Sequence, residues 1–243
     1  ILSTDLDPIR KFLLSNPSEP LVATGSGGAE TAADLAALLY GARGGVSTAL
    51  SPYTMNSLSD QALKTSKVLI FSAGGHNNDA VFAARRSLDV NPSRSASFSL
   101  HGGDRNEVDK LYTKAGSSLS FITPVRKPKD GFVSVGTPLA YFGLLCRIFD
   151  PECELSKFSE LPELPFTLTY NDGSPMSLDE LKKVRSYVVL HGSWGRPVAL
   201  NLEGKLTESG LAPASVYDFR NYCHGRFIFT SQHLEDSAVV MFI

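Results

Sequence analysis

The chain is poor in cysteine, with three in 243 residues, Cys146, Cys153 and Cys223. An odd count without metal-ligand spacing argues against a disulfide framework or a metal site, and for a reducing, cytosolic setting. An excess of either charge is lacking too. Lys and Arg number 23 against 25 Asp and Glu, a net charge of −2, so no basic face for nucleic acid is expected. No apolar run approaches the ~18 residues of a membrane span, and no signal-peptide pattern opens the chain. An initiator methionine is absent: the chain starts at Ile1 and stops at Ile243, inside the apolar run AVVMFI. A natural protein seldom ends inside a buried strand, so the expectation is a truncated or excised piece of something longer. What remains is an ordinary globular composition, 42% hydrophobic and 20% charged, long enough for one large domain or two small ones.

The most informative stretch is Lys67 to Asp79, KVLIFSAGGHNND. Val68 to Phe71 form a short, partly β-branched apolar run, and Ser72 to Asp79 are small or polar. Ala80, Val81, Ala83 and Ala84 then recur with helical spacing. This order predicts a buried strand, a tight loop and a helix start. Backbone N–H groups and a helix N-terminus then converge on one point, which suits an anion such as a phosphate. The plainer alternative is an ordinary capped βα turn.

The rest of the chain alternates in the same way. A helix is expected at Asp7 to Leu14, opened by Asp7-Pro8. A strand at Leu21 to Thr24 leads through Gly25-Ser26-Gly27-Gly28 into an alanine- and leucine-rich helix ending near Tyr40. Further strands are expected at Val46 to Leu50, Ala96 to Leu100 and Ser118 to Ile122. Helices should run from the central loop to Leu88, from Asn106 to Lys114, and from Gly131 to Phe149 after a charged turn at Lys127 to Asp130. Pro151 to Pro165, acidic and proline-rich, reads as a linker. Ser177 with Glu180 three residues on marks a short capped helix to Val184. The pattern then restarts with a strand at Ser186 to Leu190, a loop at His191 to Pro197 and a helix to about Ser209. Strands at Ser215 to Phe219 and Ala238 to Ile243 close it.

Strands alternating with helices at this spacing predict an α/β fold, with parallel sheets flanked by helices in three layers. The domain reading is a first lobe at 1–150, a linker at 151–176, and a second lobe at 177–243 that is incomplete at its C-terminus. The two strand–glycine loop–helix starts, at Leu21 and Ser186, suggest a weak internal duplication. A dinucleotide reading of the first loop fails. Gly25 and Gly27 match the first two glycines of G-x-G-x-x-G, but the third position is Glu30, and Ala49-Leu50-Ser51 offers no carboxylate for a ribose.

Taken together, these features resemble the sugar isomerase (SIS) domain family, more narrowly its two-lobed members such as the isomerase half of glucosamine-6-phosphate synthase. That family's phosphate loop runs Ser-x-Ser-Gly-x-Thr-x-Glu between a strand and a helix. The corresponding residues are Ser72, Gly74, Gly75, Asn77 and Asp79, with Gly74 lacking a hydroxyl. Ser26 and Gly27 sit in the earlier loop, where the family often carries Ser or Thr beside its glycines, and Ala29 stands where many members have a serine. In the second lobe the synthase carries a catalytic Lys, a Glu three residues later and a His-Gly pair sixteen residues on. Lys205, Glu208 and His224-Gly225 stand at those intervals.

The resemblance implies two SIS-like lobes and an aldose–ketose isomerisation of a sugar phosphate. Glu208 would be the base, Lys205 its electrostatic partner, and His224 the acid/base that opens the sugar ring. Ser26, Gly27, Ser72, Gly74, Gly75 and Asn77 would cradle the phosphate. It implies a homodimer or higher oligomer, and no cofactor or metal. Such chemistry needs a carboxylate over the carbons, a cation near the oxygens and an anchor for the phosphate. Each residue also has a plainer reading. Lys205 and Glu208 suit an exposed helical ion pair, His224 a turn histidine, His76 a solvated loop residue, and Trp194 beside Arg196 a packed interface residue. His101 ends a strand at Gly102-Gly103, where strand ends of such sheets meet ligands. A second function therefore stays open: a non-catalytic phosphosugar- or nucleotide-sensing module of a larger protein.

Overall fold

The structure, a computed structural model, describes residues 4–116, 118–125, 134–155, 169, 172–175, 177–181 and 183–243. The charged turn expected at Lys127 to Asp130, the first residues of the helix expected from Gly131, and most of the linker expected at Pro151 to Pro165 lie outside the described residues. The chain divides into two compact units, Ile1–Cys153 and Glu154–Ile243.

The first unit runs α1 (Asp7–Leu14), β1 (Leu21–Thr24), α2 (Gly28–Ala42), β2 (Ser47–Leu50), α3 (Pro52–Asn56), α4 (Asp60–Thr65), β3 (Lys67–Phe71), α5 (Asn78–Val90), β4 (Ser95–Ser99), α6 (Glu107–Ala115), β5 (Leu119–Ile122) and α7 (Gly136–Phe149). All its strands are parallel, in the order β2-β1-β3-β4-β5. Residues alternate between faces along a strand, so each strand feeds two cores. Leu21 and Ala23, Leu69 and Phe71, and Ala96 and Phe98 pack with α1, α2 and α7. Val22, Val68 and Ile70 pack with Ala80, Ala83 and Ala84 of α5 and Val108 and Tyr112 of α6. Strands buried on both faces explain the near-continuous apolar runs seen in the sequence.

Phe98 is the hub of the first core. Its ring lies edge-on to Phe121 at 4.9 Å and to Tyr141 at 5.3 Å, and tilted against Phe71 at 5.5 Å. The opposite face of β4 is serine. Ser95 meets the Tyr112 hydroxyl at 2.6 Å, and Ser97 donates to Ser120 at 3.3 Å, which donates to Asp109 at 2.5 Å. Hydrogen bonds make these two buried hydroxyls tolerable, whereas Ser99 Oγ, on the same face, has no partner among the described residues. The buried Lys67 ammonium donates to the carbonyls of Leu13 (2.9 Å) and Asn16 (3.0 Å), fastening the end of α1 to the sheet.

The sequence reading passes over α3 and α4. They are five and six residues long, too short for a helical period to register, and only their serine caps announce them. Ser51 accepts from Thr54 N–H and Ser59 from Ala62 N–H, both at 3.2 Å.

The second unit holds α8 (Leu178–Leu181), β6 (Ser186–His191), α9 (Arg196–Glu208), β7 (Ala214–Asp218), α10 (Phe219–Asn221), α11 (Phe227–Gln232) and β8 (Ser237–Phe242). The capping box before α8 is formed: Glu180 N–H donates to Ser177 Oγ at 3.2 Å, and Ser177 N–H to Glu180 Oε2 at 2.7 Å. The strands are parallel in the order β7-β6-β8, the same order as β2-β1-β3. The helical segment between β7 and β8 is a further element that the sequence reading leaves out.

Truncating Phe98 should remove the hub of the first core. Phe98→Ala is expected to lower unfolding free energy by about 3–5 kcal/mol, measured by urea denaturation, whereas Phe98→Leu should lose about half as much or less.

Candidate functional site

Two loops meet at the carboxyl edge of the first sheet. β1 and β3 are neighbours, with Thr24 paired to Ile70, so the loops that follow them emerge side by side. The strand order reverses here: β2 lies beyond β1, and β4 and β5 beyond β3. In open parallel sheets such a switch point is where ligands bind.

The first loop, Gly25 to Gly27, is tight. A Cβ on Gly25 would fall 2.6 Å from the Ala29 carbonyl oxygen, and Gly27 holds φ at +58°, a conformation that favours glycine. Ser26 Oγ reaches across to Asp79 Oδ2 at 3.5 Å, joining the two loops.

The second loop is built from inside. Ser72, buried at the end of β3, accepts the Gly75 N–H at 3.2 Å. Gly75 turns the chain at φ +66°, and a Cβ there would lie 1.7 Å from Asn106 Oδ1. Its carbonyl accepts Val108 N–H at 2.9 Å, which ties the loop to the first turn of α6. Asn77 caps α5, accepting from Asp79 N–H at 2.8 Å and Ala80 N–H at 3.3 Å. The N–H groups of Gly75, Asp79 and Ala80 are thus engaged internally. Those of Gly74, His76 and Asn77 have no partner among the described residues. They stand just ahead of the N-terminal end of the α5 dipole, a local arrangement of the kind that suits an anion.

Asn106 is the residue that sequence reasoning missed. Its Oδ1 caps α6 through Asp109 N–H (2.8 Å), and its Nδ2 donates to the His101 carbonyl (2.7 Å). An N-cap is legible in sequence, but its contact with Gly75, thirty-one positions earlier, is not.

In the second unit Lys205 and Glu208 share the last turn of α9, with Nζ 3.8 Å from Oε2. His224 lies in the turn Tyr222–Arg226, exposed, followed by Gly225 at φ +95°. The turn is firmly held. Asp218 accepts N–H bonds from Arg220 (3.0 Å) and Asn221 (2.9 Å), and the Arg226 guanidinium lies 4.7 Å from the centre of the Tyr217 ring. Bonds from Asn221, backbone first and then side chain, hold the Asp218 carboxyl below its usual range.

His224 and Glu208 do not come together. Gly195, at the start of α9, packs against His191 and Phe242, which share one face of the second sheet. Tyr217, which carries Arg226, is paired with Leu190 and lies on the other face. Lys205 and Glu208 therefore lie on one face of the sheet and His224 on the other. Among the described residues no group of three or more His, Cys, Asp or Glu side chains is arranged to hold a metal, and no helix is long and apolar enough to cross a membrane.

No protein-family model and no curated protein sequence matches the chain. Solved structures do. Tagatose-6-phosphate ketose/aldose isomerase from Escherichia coli aligns over 98% of this chain and 66% of its own, with a TM-score of 0.70 at 15% identity. The C-terminal domain of glucosamine-fructose-6-phosphate aminotransferase from Francisella tularensis aligns over 98% of this chain and 68% of its own, at TM-score 0.64 and 14% identity. For glucosamine-6-phosphate deaminase from Thermotoga maritima the figures are 98% and 82%, TM-score 0.62 and 15% identity. The chain shares its fold with these enzymes of sugar phosphates.

Proposed function

We propose that this is a phosphosugar-binding protein of the sugar isomerase type, acting as an aldose–ketose isomerase on a sugar phosphate. The observation that supports binding is the pair of neighbouring loops at the switch point, one of which carries unpartnered N–H groups just ahead of the N-terminus of α5. Ser26, Gly27, Ser72, Gly74, Gly75 and Asn77 make up this phosphate cradle, though Ser72 contributes by shaping the loop rather than by reaching the ligand. The shared fold with enzymes named for sugar phosphates supports the same substrate class.

For the chemistry, Glu208 takes the proton from one carbon of the open-chain sugar and returns it to the next. Lys205 steadies the charge that builds on the oxygens, and His224 serves ring opening. Glu208 and His224 are carried by elements on opposite faces of the second sheet, with no contact between them among the described residues. A second copy must supply the histidine, so the working form is a homodimer or higher oligomer. Exposed Phe227, Ile228 and Phe229, which begin three residues after His224, offer an apolar surface for that contact. The reading includes two lobes, 1–150 and 177–243, joined by 151–176, and a cytoplasmic setting.

One observation favours the second reading, a non-catalytic phosphosugar- or nucleotide-sensing module. The Glu208 carboxylate is half exposed and paired with Lys205, as in an ordinary surface ion pair.

Thermal shift should separate an anion anchor from general sugar binding. Hexose and pentose phosphates are expected to raise Tm, and the unphosphorylated sugars to leave it unchanged. Equal stabilisation by both would rule out a phosphate anchor.

Glu208→Gln should retain affinity, while exchange of the C2 hydrogen with solvent falls by a factor of at least ~100. Wild type that binds a sugar phosphate without any exchange would favour the sensor. Glu208→Gln and His224→Gln should each be inactive alone, and mixing them should restore activity in hetero-oligomers. Failure to restore it, with mixed oligomers present, would exclude a shared site.

A further inference from the structure

Gly74 and His76 compete for the same space. A Cβ on Gly74 would fall 2.5 Å from Cε1 and 2.6 Å from Nδ1 of His76. A side chain at 74 and this position of the imidazole at 76 therefore exclude each other. The His76 ring folds back over the loop, its Nδ1 3.2 Å from the Gly74 carbonyl oxygen. The neighbouring strand brings a second imidazole to the same point. Leu100 N–H donates to the Ala73 carbonyl at 3.1 Å, which sets His101 beside Gly74, and Asn106 holds the His101 backbone from the other side. His101 Nε2 is buried and has no hydrogen-bond partner among the described residues. A buried ring nitrogen left unpaired calls for a physical reason, and neither capping nor packing of the loop supplies one.

We propose that His101 and His76 are a pair of imidazole donors that hold the anionic end of the ligand. The proposal rests on the phosphosugar reading and names residues of that same site. Left to themselves, the two rings oppose each other's charge. Burial first, and then the charge of His76, hold His101 below its ordinary pKa of 6.5. A phosphate dianion beside His101 reverses the balance, because it favours the protonated His101 ring. Binding therefore takes up a proton.

The charged groups at the near ends of the surrounding elements are Asp79 in α5, Glu30 in α2, Asp104 and Arg105 in the loop after His101, and Glu107, Asp109 and Lys110 in α6. Arg85, Arg86 and Asp89 of α5 and Lys114 of α6 lie in later turns. Three of the carboxylates have partners of their own. Asp79 is 3.5 Å from Ser26, Glu107 is bonded to Lys110 at 2.8 Å, and Asp109 to Ser120 at 2.5 Å.

Calorimetric titration with sulfate, a dianion that does not titrate near neutrality, and with fructose 6-phosphate tests the idea. Between about pH 6.5 and about pH 8, sulfate affinity should fall with rising pH by up to about tenfold per unit. Buffers of different ionisation enthalpy should report net proton uptake. His101→Gln should weaken both ligands by about 10- to 100-fold and flatten the pH dependence. In wild type, the side-chain nitrogen resonances of His101 should move to the imidazolium position on adding sulfate, a readout that does not depend on the variant folding. Binding without proton uptake, with the His101 resonances unmoved, would overturn this inference and leave the phosphosugar reading standing. If neither sulfate nor fructose 6-phosphate bound at any pH, that reading would fall, and this one with it.

Discussion

The parallel pairing of β1 with β3 is the constraint on which the first unit depends. β2 follows β1 in sequence but lies on its outer side, so the chain crosses the sheet first one way and then the other. Crossovers in opposite directions put their helices on opposite faces, and the two cores confirm it: α2 packs in one and α5 in the other. The loops after β1 and β3 therefore leave the sheet side by side, joined by Ser26 and Asp79. The glycines follow from that geometry. Gly25 must pass close under the Ala29 carbonyl, and Gly75 must turn against Asn106.

Much of this was legible from residue order. The run Val68 to Phe71 reads as a buried strand, and the small and polar residues Ser72 to Asp79 before Ala80 read as a tight loop and helix start, because both are local facts about periodicity and turn chemistry. The expected strand and helix positions lie within a residue or two of those observed for most elements, since helix ends fray and the last turns are weakly specified. On the serine face of β4, Ser95 is satisfied by Tyr112 and Ser97 by Ser120, both from outside the strand, whereas Ser99 Oγ is buried without a hydrogen-bond partner among the described residues. Contacts between loops are illegible for a deeper reason. Nothing in the neighbourhood of Asn106 announces Gly75, and nothing near His101 announces His76. These approaches are set by strand register, which one sequence does not reveal.

The second unit uses a similar frame differently. Its order β7-β6-β8 repeats β2-β1-β3, yet its glycine loop at Gly192 to Gly195 is closed off rather than opened. The space at Gly195 is taken by Phe242 and by its carbonyl oxygen, both under 3 Å from a notional Cβ. The residues of chemical interest have moved away from that loop, to the far end of α9 on one face and the turn after β7 on the other. A shared topology thus fixes where elements lie without fixing which edge or face carries chemistry.

Local energetics bear on which of these residues stability accounts for. In the first unit each loop residue agrees with its surroundings: Asn77 caps its helix and Gly75 occupies a glycine conformation. Glu208 is different. A carboxylate in the last turn of α9 meets the negative end of the helix dipole, which is unfavourable by about 0.3–1 kcal/mol. The exposed pair with Lys205 returns only about 0.2–0.5 kcal/mol. Lys205 alone would suit that helix end, so the pair is no better than neutral for the fold. A residue that the local rules disfavour, and that no buried contact compensates, is where function is expected to override stability.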